Sequence, residues 1–302
     1  MNLNRPGRLC CNWLLTFVLM FVTTEVTEGC SNLTHHCLNR TVRTYDFLAM
    51  NGSIITRLPG KNYYTSGMEC EWYLDAGANG RVKLTFVKVD LRPENHDEKC
   101  SEQDHLKIKN SLGRYTRQVC PGVHAEQFIS IGRGTYVTFQ SDKREQGFHH
   151  KGIEIRYEMF EPGKRKCPPG WVCGPENHDG TCSCYYVMSG PSSMVDFQTA
   201  QKFCGFSNAN LVKIDSARMH RFIQGLVLKY SNVAYFWIGL NDIEKEGTFD
   251  WIDRSSLFFG NGGKDNSLTK NCVIQERFTG SWITVSCNEH HLYICEIFSS
   301  TV

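Results

Sequence analysis

The segment Trp237-Ile238-Gly239-Leu240 decides the fold of the second half of the chain, because the sequence pattern changes around it. Before it, residues 196–204 and 216–230 carry apolar residues at helical spacing, and Asp215-Ser216 supplies an N-cap for the second helix. The stripe predicted to be buried in that helix is Phe222, Ile223, Leu226, Val227 and Tyr230. After it, short apolar runs alternate with turns, so this half is predicted to be a loop-rich α+β domain.

The order of motifs across residues 167–297 resembles the C-type lectin domain. The resemblance is carried by Cys167-Pro-Pro-Gly-Trp171, Phe197-x-x-Ala200-x-x-x-Cys204, Leu211-Val-x-Ile214, the Trp237–Leu240 segment, Gly247-x-Phe249-x-Trp251, Cys272, Trp282, Cys287 and Tyr293-Ile-Cys295. It implies the disulfides Cys204–Cys295, Cys272–Cys287 and Cys167–Cys184. Cys173 and Cys182 then remain as a nested pair, and the alternative for Cys173, Cys182 and Cys184 is a zinc site.

Lectins of this type hold calcium and sugar with a Glu-Pro-Asn or Gln-Pro-Asp segment and a Trp-Asn-Asp segment. Here the corresponding loop contains Lys264, Asp265 and Asn266, and Trp282 is followed by Ile283-Thr284. A lysine next to lost carboxylates opposes calcium binding. We therefore expect this loop to be a degenerate sugar site without calcium-dependent sugar binding.

The first half is predicted to be a β-sandwich, because its apolar residues alternate along short segments separated by turn residues. The alternating segments are Val82-x-Leu84-x-Phe86, Leu106-x-Ile108, Tyr136-Val137-x-Phe139 and Ile153-x-Ile155-x-Tyr157. Together with Cys70-Glu-Trp72, Cys100, Cys120, Ser141-Asp142 and Gly147-Phe148, their order resembles the CUB domain. The resemblance implies the disulfides Cys37–Cys70 and Cys100–Cys120.

Many CUB domains bind one calcium ion, and the resemblance places two of its ligands at Asp104 and Asp142. The third acidic position is occupied by Asn95 or by Arg92, depending on the alignment, and Glu94 lies close enough in sequence to substitute. Calcium favours several oxygen ligands. A calcium site at Asp104, Asp142 and Glu94 is therefore expected, and the alternative is that the two aspartates cap turns.

The N-terminus predicts export. Arg5 and Arg8 precede an apolar run of ten residues, Trp13–Val22, which is typical of a signal peptide, with a signal anchor as the alternative. Glycosylation triplets begin at Asn32, Asn39 and Asn51. The predicted organisation is a signal peptide at 1–29, a CUB-like domain with an N-terminal extension at 30–160, a linker at 161–166 and a C-type lectin-like domain at 167–302.

The 15 cysteines among 302 residues indicate an oxidising compartment. Removing the signal segment takes Cys10 and Cys11 and leaves an odd number of cysteines. We expect Cys30 to be the unpaired one and to form a disulfide-linked homodimer or a mixed disulfide. The competing pairing, Cys30–Cys70, would leave Cys37 odd instead.

Composition narrows the function further. The net charge of +2 gives no nucleic-acid footprint, and no nucleotide-binding or hydrolase motif is present. We predict a secreted recognition or adaptor protein that binds extracellular proteins or glycoproteins in adhesion, matrix, receptor clustering or defence. A lectin with a calcium-independent sugar surface is the alternative, and a hydrolase with an unrecognised site is a more distant one.

Overall fold

The computed structural model describes residues 33–37, 41–44, 50–92, 100, 103–111, 116–122, 124–143, 149–162, 167–177, 180–189, 193–260 and 268–298. Glu94, Asn32, Asn39, Cys30 and the loop residues Lys264, Asp265 and Asn266 lie outside these ranges. Among the described residues, neither helix is long and apolar enough to cross a membrane.

The first domain consists of two five-stranded sheets. Its strands are β1 (Leu33–His36), β2 (Thr41–Thr44), β3 (Asn51–Ile55), β4 (Glu69–Asp75), β5 (Arg81–Asp90), β6 (His105–Asn110), β7 (Thr116–Val119), β8 (Gln127–Ile129), β9 (Gly134–Gln140) and β10 (Gly152–Phe160). One sheet has the order β1-β3-β10-β5-β8 and the other β2-β4-β9-β6-β7. Alternate residues point into the core, as in β4, where Cys70, Trp72 and Leu74 are buried.

The second domain combines two helices with one larger sheet. Its elements are β11 (Val172–Cys173), β12 (Cys184–Val187), α1 (Phe197–Gly205), β13 (Asn210–Leu211), α2 (Ala217–Tyr230), β14 (Tyr235–Asn241), β15 (Asp250–Trp251), β16 (Cys272–Glu276), β17 (Trp282–Val285) and β18 (Leu292–Ile297). The main order is β11-β12-β18-β14-β16-β17. Asp196 and Ser216 cap the two helices by accepting hydrogen bonds from the amides of Thr199 and Met219.

The prediction for α2 is confirmed in its bounds and wrong in one residue of its stripe. Ile223, Leu226 and Val227 are buried, and Phe222 packs against the core. Tyr230, in the last turn of the helix, is 42% exposed. There Lys229 places its ammonium 5.0 Å from the centre of the tyrosine ring.

A seam of hydrogen bonds joins the two domains along β8, the edge strand of its sheet. The amide of Ile129 donates to the carbonyl of Phe206 at 3.2 Å, and Asn208 Nδ2 donates to the carbonyl of Ile129 at 2.8 Å. Trp171 Nε1 donates to Gln127 Oε1 at 3.3 Å, and Lys83 Nζ donates to the carbonyl of Pro169 at 2.6 Å. The second domain therefore satisfies backbone groups that an edge strand otherwise presents to solvent.

Candidate functional site

Asp104 and Asp142 come together at one end of the first domain, as the sequence predicts. Strands β6 and β9 are antiparallel neighbours, and His105 pairs with Gln140. Asp104 therefore precedes β6 beside the point where Asp142 follows β9. The amide of Asp142 donates to Asp104 Oδ1 at 2.6 Å.

Two further side chains complete this cluster. Tyr64, in the loop between β3 and β4, donates its hydroxyl to Asp104 Oδ2. Its hydroxyl also accepts a hydrogen bond from the amide of Arg92 at 3.2 Å, two residues after β5 ends. Burial, followed by the nearby Asp104 carboxylate, raises the pKa of Tyr64 well above its usual value, so the phenol stays a donor. We call Tyr64, Arg92, Asp104 and Asp142 the acid–arginine cluster.

Arg92 brings a positive charge into direct contact with the acid pair. Its Nη2 lies 2.6 Å from Asp142 Oδ2, and the two side chains are only 15% and 11% exposed. A charge-assisted hydrogen bond of this length in a mostly buried setting is strong. The guanidinium therefore neutralises part of the charge on the two aspartates.

The donor set does not fit calcium as it stands. Calcium takes six to eight oxygen ligands, whereas the described residues place a guanidinium on one of the two carboxylates. Asp90, at the end of β5, is also paired: His150 Nδ1 lies 3.0 Å from its Oδ1. Burial opposes the shift, but hydrogen bonds from His150 and the Lys151 amide lower the pKa of Asp90. The expected ligand Glu94 lies outside the described residues.

The second candidate site lies beside β17. Its Trp282 is buried, and the ring packs edge-on against Trp251 and Phe259 at centroid distances of 5.7 and 5.8 Å. The next two positions carry Ile283, which is 38% exposed, and Thr284, which is buried. An exposed aliphatic side chain and a buried hydroxyl thus occupy the two positions where the resemblance implies an amide and a carboxylate.

Apolar side chains also border the loop predicted to be the degenerate sugar site. Phe258 precedes it and is 94% exposed, and Leu268 follows it and is 80% exposed. Phe259, next to Phe258, is the residue that contacts Trp282. We call Phe258, Leu268 and Ile283 the apolar loop face. Large exposed apolar side chains are candidates for contact with a partner protein.

Comparison with known proteins assigns both halves. The CUB domain model matches residues 44–157, and the C-type lectin domain model matches residues 193–297. This chain contains a CUB domain followed by a C-type lectin domain. Both kinds of domain are typical of extracellular proteins, and they are typically binding domains rather than enzymes.

The relatives match through the lectin domain. C-type lectin domain family 4 member M of Nomascus concolor is 32% identical over 138 residues, which are 43% of this chain and 31% of that protein. The beta subunit of snaclec bothrojaracin from Bothrops jararaca is 26% identical over 147 residues, 48% of this chain and 92% of that subunit. The carbohydrate-recognition domain of mouse scavenger receptor C-type lectin is 26% identical, with a TM-score of 0.37, covering 43% of this chain and 95% of that domain.

The structure forms all six disulfides that the sequence analysis names. They are Cys37–Cys70, Cys100–Cys120, Cys167–Cys184, Cys173–Cys182, Cys204–Cys295 and Cys272–Cys287. Sulfurs of Cys167, Cys173 and Cys182 lie within 4.8 Å of one another because two disulfides are adjacent. These sulfurs are bonded in pairs, which removes the thiolates that zinc requires.

Other predicted positions are only partly described. Asn51 begins β3 and is half-buried. Cys30 lies outside the described residues, and its pairing with another chain stays a prediction. Cys37 is bonded to Cys70, so the competing assignment, with Cys37 odd, is not the one in this structure.

Sequence reasoning missed one charged group in the lectin domain. Glu296 is buried near the end of β18, where it accepts hydrogen bonds from Tyr185 Oη at 2.8 Å and from the Lys213 amide at 3.0 Å. Burial raises the pKa of this carboxyl despite those bonds. The available signal was its position directly after Cys295 in an otherwise apolar strand.

Proposed function

We propose that the protein is secreted and binds extracellular protein ligands through the apolar loop face of its lectin domain, without calcium-dependent sugar binding. The observation that carries this proposal is the exposed Ile283, which offers no oxygen ligand where a calcium-dependent lectin needs one. Thr284 contributes only a buried neutral hydroxyl.

Charge and surface chemistry support the same proposal. Lys264 adds a positive charge to the loop where the resemblance implies an acidic ligand. Phe258 and Leu268 expose apolar surface on either side of that loop. Burying such side chains against a partner protein is favourable, whereas sugar hydroxyls gain little from an aliphatic surface.

The first experiment measures retention of the full-length protein on mannose and galactose resins, in calcium and in chelator. We expect no elution caused by chelator. Elution by chelator from either resin would contradict the proposal, and retention on a resin that persists in chelator would support a calcium-independent lectin instead.

The second experiment compares captured proteins from extracellular material, using the wild type and a Phe258→Ser/Leu268→Ser variant. We expect the variant to lose the captured partner. Phe278→Ser is the matched control, because Phe278 is 65% exposed at the turn between β16 and β17. If Phe278→Ser lost the captured partner equally, binding would not be specific to the apolar loop face.

A further inference from the structure

We propose that Arg92 takes the place of a calcium ion in the CUB domain, so that the acid–arginine cluster is held together by the chain's own cation. The proposal concerns the CUB domain and is independent of the function proposed for the lectin domain.

Arg92 links the ends of the two sheets of the CUB domain. Arg92 follows β5 in one sheet, whereas Asp104 and Asp142 flank β6 and β9 in the other. The 2.6 Å contact from Arg92 Nη2 to Asp142 Oδ2 therefore ties the end of one sheet to the end of the other. A cation at that point links the two sheets, as a bridging metal ion would.

Both side-chain oxygens of Asp104 already accept hydrogen bonds from this chain. One accepts the amide of Asp142, and the other accepts the hydroxyl of Tyr64. The same tyrosine accepts the amide of Arg92. Side-chain and backbone donors of this chain thus hold both oxygens of this carboxylate, which is itself 4% exposed.

The positive charge of Arg92 opposes calcium binding at Asp142. A calcium ion bound to Asp142 would lie next to the Arg92 guanidinium, and the two positive charges would repel each other in a poorly solvated site. Displacing the arginine would leave its guanidinium without this carboxylate in a mostly buried position. The wild-type site should therefore bind calcium poorly.

The experiment measures the melting temperature of the full-length protein in excess calcium and in chelator. We expect identical curves for the wild type. Arg92→Glu should lower the melting temperature in chelator, because three acidic groups then repel one another. Calcium should raise it again, by an amount that grows with the logarithm of calcium concentration.

Arg133→Glu is the matched control, because Arg133 forms an exposed ion pair with Asp75 in the same domain. We expect no calcium response from it. If Arg92→Glu does not fold, Arg92→Gln provides the same comparison with a smaller charge change. Calcium stabilisation of the wild type that Asp142→Ala removes would overturn the proposal, and so would a folded Arg92 variant that is indifferent to calcium.

Discussion

The CUB domain keeps two acidic residues and adds a cation to them, whereas the lectin domain replaces its acidic positions. In the acid–arginine cluster, Asp104 and Asp142 remain side by side and Arg92 pairs with one of them. Beside β17, Ile283 and Thr284 stand where the resemblance implies an amide and a carboxylate. The difference teaches that the two domains need unequal numbers of substitutions to gain an acidic cluster. One substitution could restore an acidic cluster in the CUB domain, but the lectin domain would need several.

The largest expected effect concerns the disulfides of the two domains. The Cys204–Cys295 bond spans 91 residues and the Cys100–Cys120 bond spans 20. In the chain-entropy model, replacing both cysteines by serine should cost about 4–5 kcal/mol for the first pair and about 3 kcal/mol for the second. Urea unfolding of the full chain, followed by tryptophan fluorescence, measures both losses. A greater loss from the CUB pair would contradict the ranking.

The next effect compares two tyrosines that donate to carboxylates, the half-buried Tyr64 and the buried Tyr185. Tyr64→Phe removes the hydroxyl donor to Asp104, and Tyr185→Phe removes the donor to Glu296. Each should cost about 2 kcal/mol, because a hydrogen bond to a charged group is lost. The free-energy cost of Tyr185→Phe should be smaller in acid. Because the pKa of Glu296 is raised, this carboxyl becomes neutral at a higher pH than an ordinary glutamate, and the hydrogen bond is then to a neutral group. Chemical denaturation at neutral and acidic pH measures both costs, and equal costs of Tyr185→Phe at the two pH values would argue against a titrating Glu296.

Acidification should change the contributions of His35 and Glu296 to stability in opposite directions. Burial, and then the charge of His36, lower the pKa of His35 in β1 from 6.5 to about 4. The unfolded chain therefore binds the proton more tightly, and the CUB domain loses stability as pH falls from 6.5 toward 4. Glu296 has a raised pKa, so its contribution to the lectin domain is present below pH 4.5, its ordinary value, and is lost as pH rises through the folded value.

Melting curves between pH 7 and pH 4 measure these opposite responses. His35→Gln should make the acid-induced loss of the CUB domain smaller, and Glu296→Gln should make that of the lectin domain larger. Unchanged pH profiles in both variants would mean that other groups control the response.

The smallest expected effect concerns the loop of the lectin domain. Lys264→Glu restores one acidic residue but leaves Ile283 and Thr284 in place, so mannose and galactose retention should not change. If Lys264→Glu were retained in calcium and eluted by chelator, one substitution would create calcium binding in the lectin domain. The lectin domain would then not differ from the CUB domain, where Arg92→Glu is expected to do the same.

Much of the frame could be predicted from the sequence, because it depends on short-range patterns. Alternating apolar residues predicted β5, β6, β9 and β10, and helical spacing with a serine cap predicted α2. The approach of Asp104 to Asp142 was also predictable once the family resemblance placed both positions. Tyr230 was mispredicted because helical periodicity assigns a residue to a face but does not show which turns of that face are covered.

The chemistry of the acid–arginine cluster was less predictable. An alignment can place Arg92 at an acidic position, but only the fold shows its guanidinium on Asp142. Tyr64 lies 40 residues from Asp104 in a loop without a diagnostic pattern, so no sequence signal linked the two. The contacts of β8 with the lectin domain were similarly out of reach, because they join residues about 80 positions apart through loop carbonyls and one side-chain amide.

The covering of β8 also bears on how these two modules can be handled and recombined. Cutting the chain at the linker would uncover the amide and carbonyl of Ile129, which now pair with Phe206 and Asn208. An uncovered strand edge is a template for pairing with another molecule. The isolated CUB module should therefore self-associate at high concentration. Grafting it onto an unrelated partner domain would require that domain to supply a similar cap.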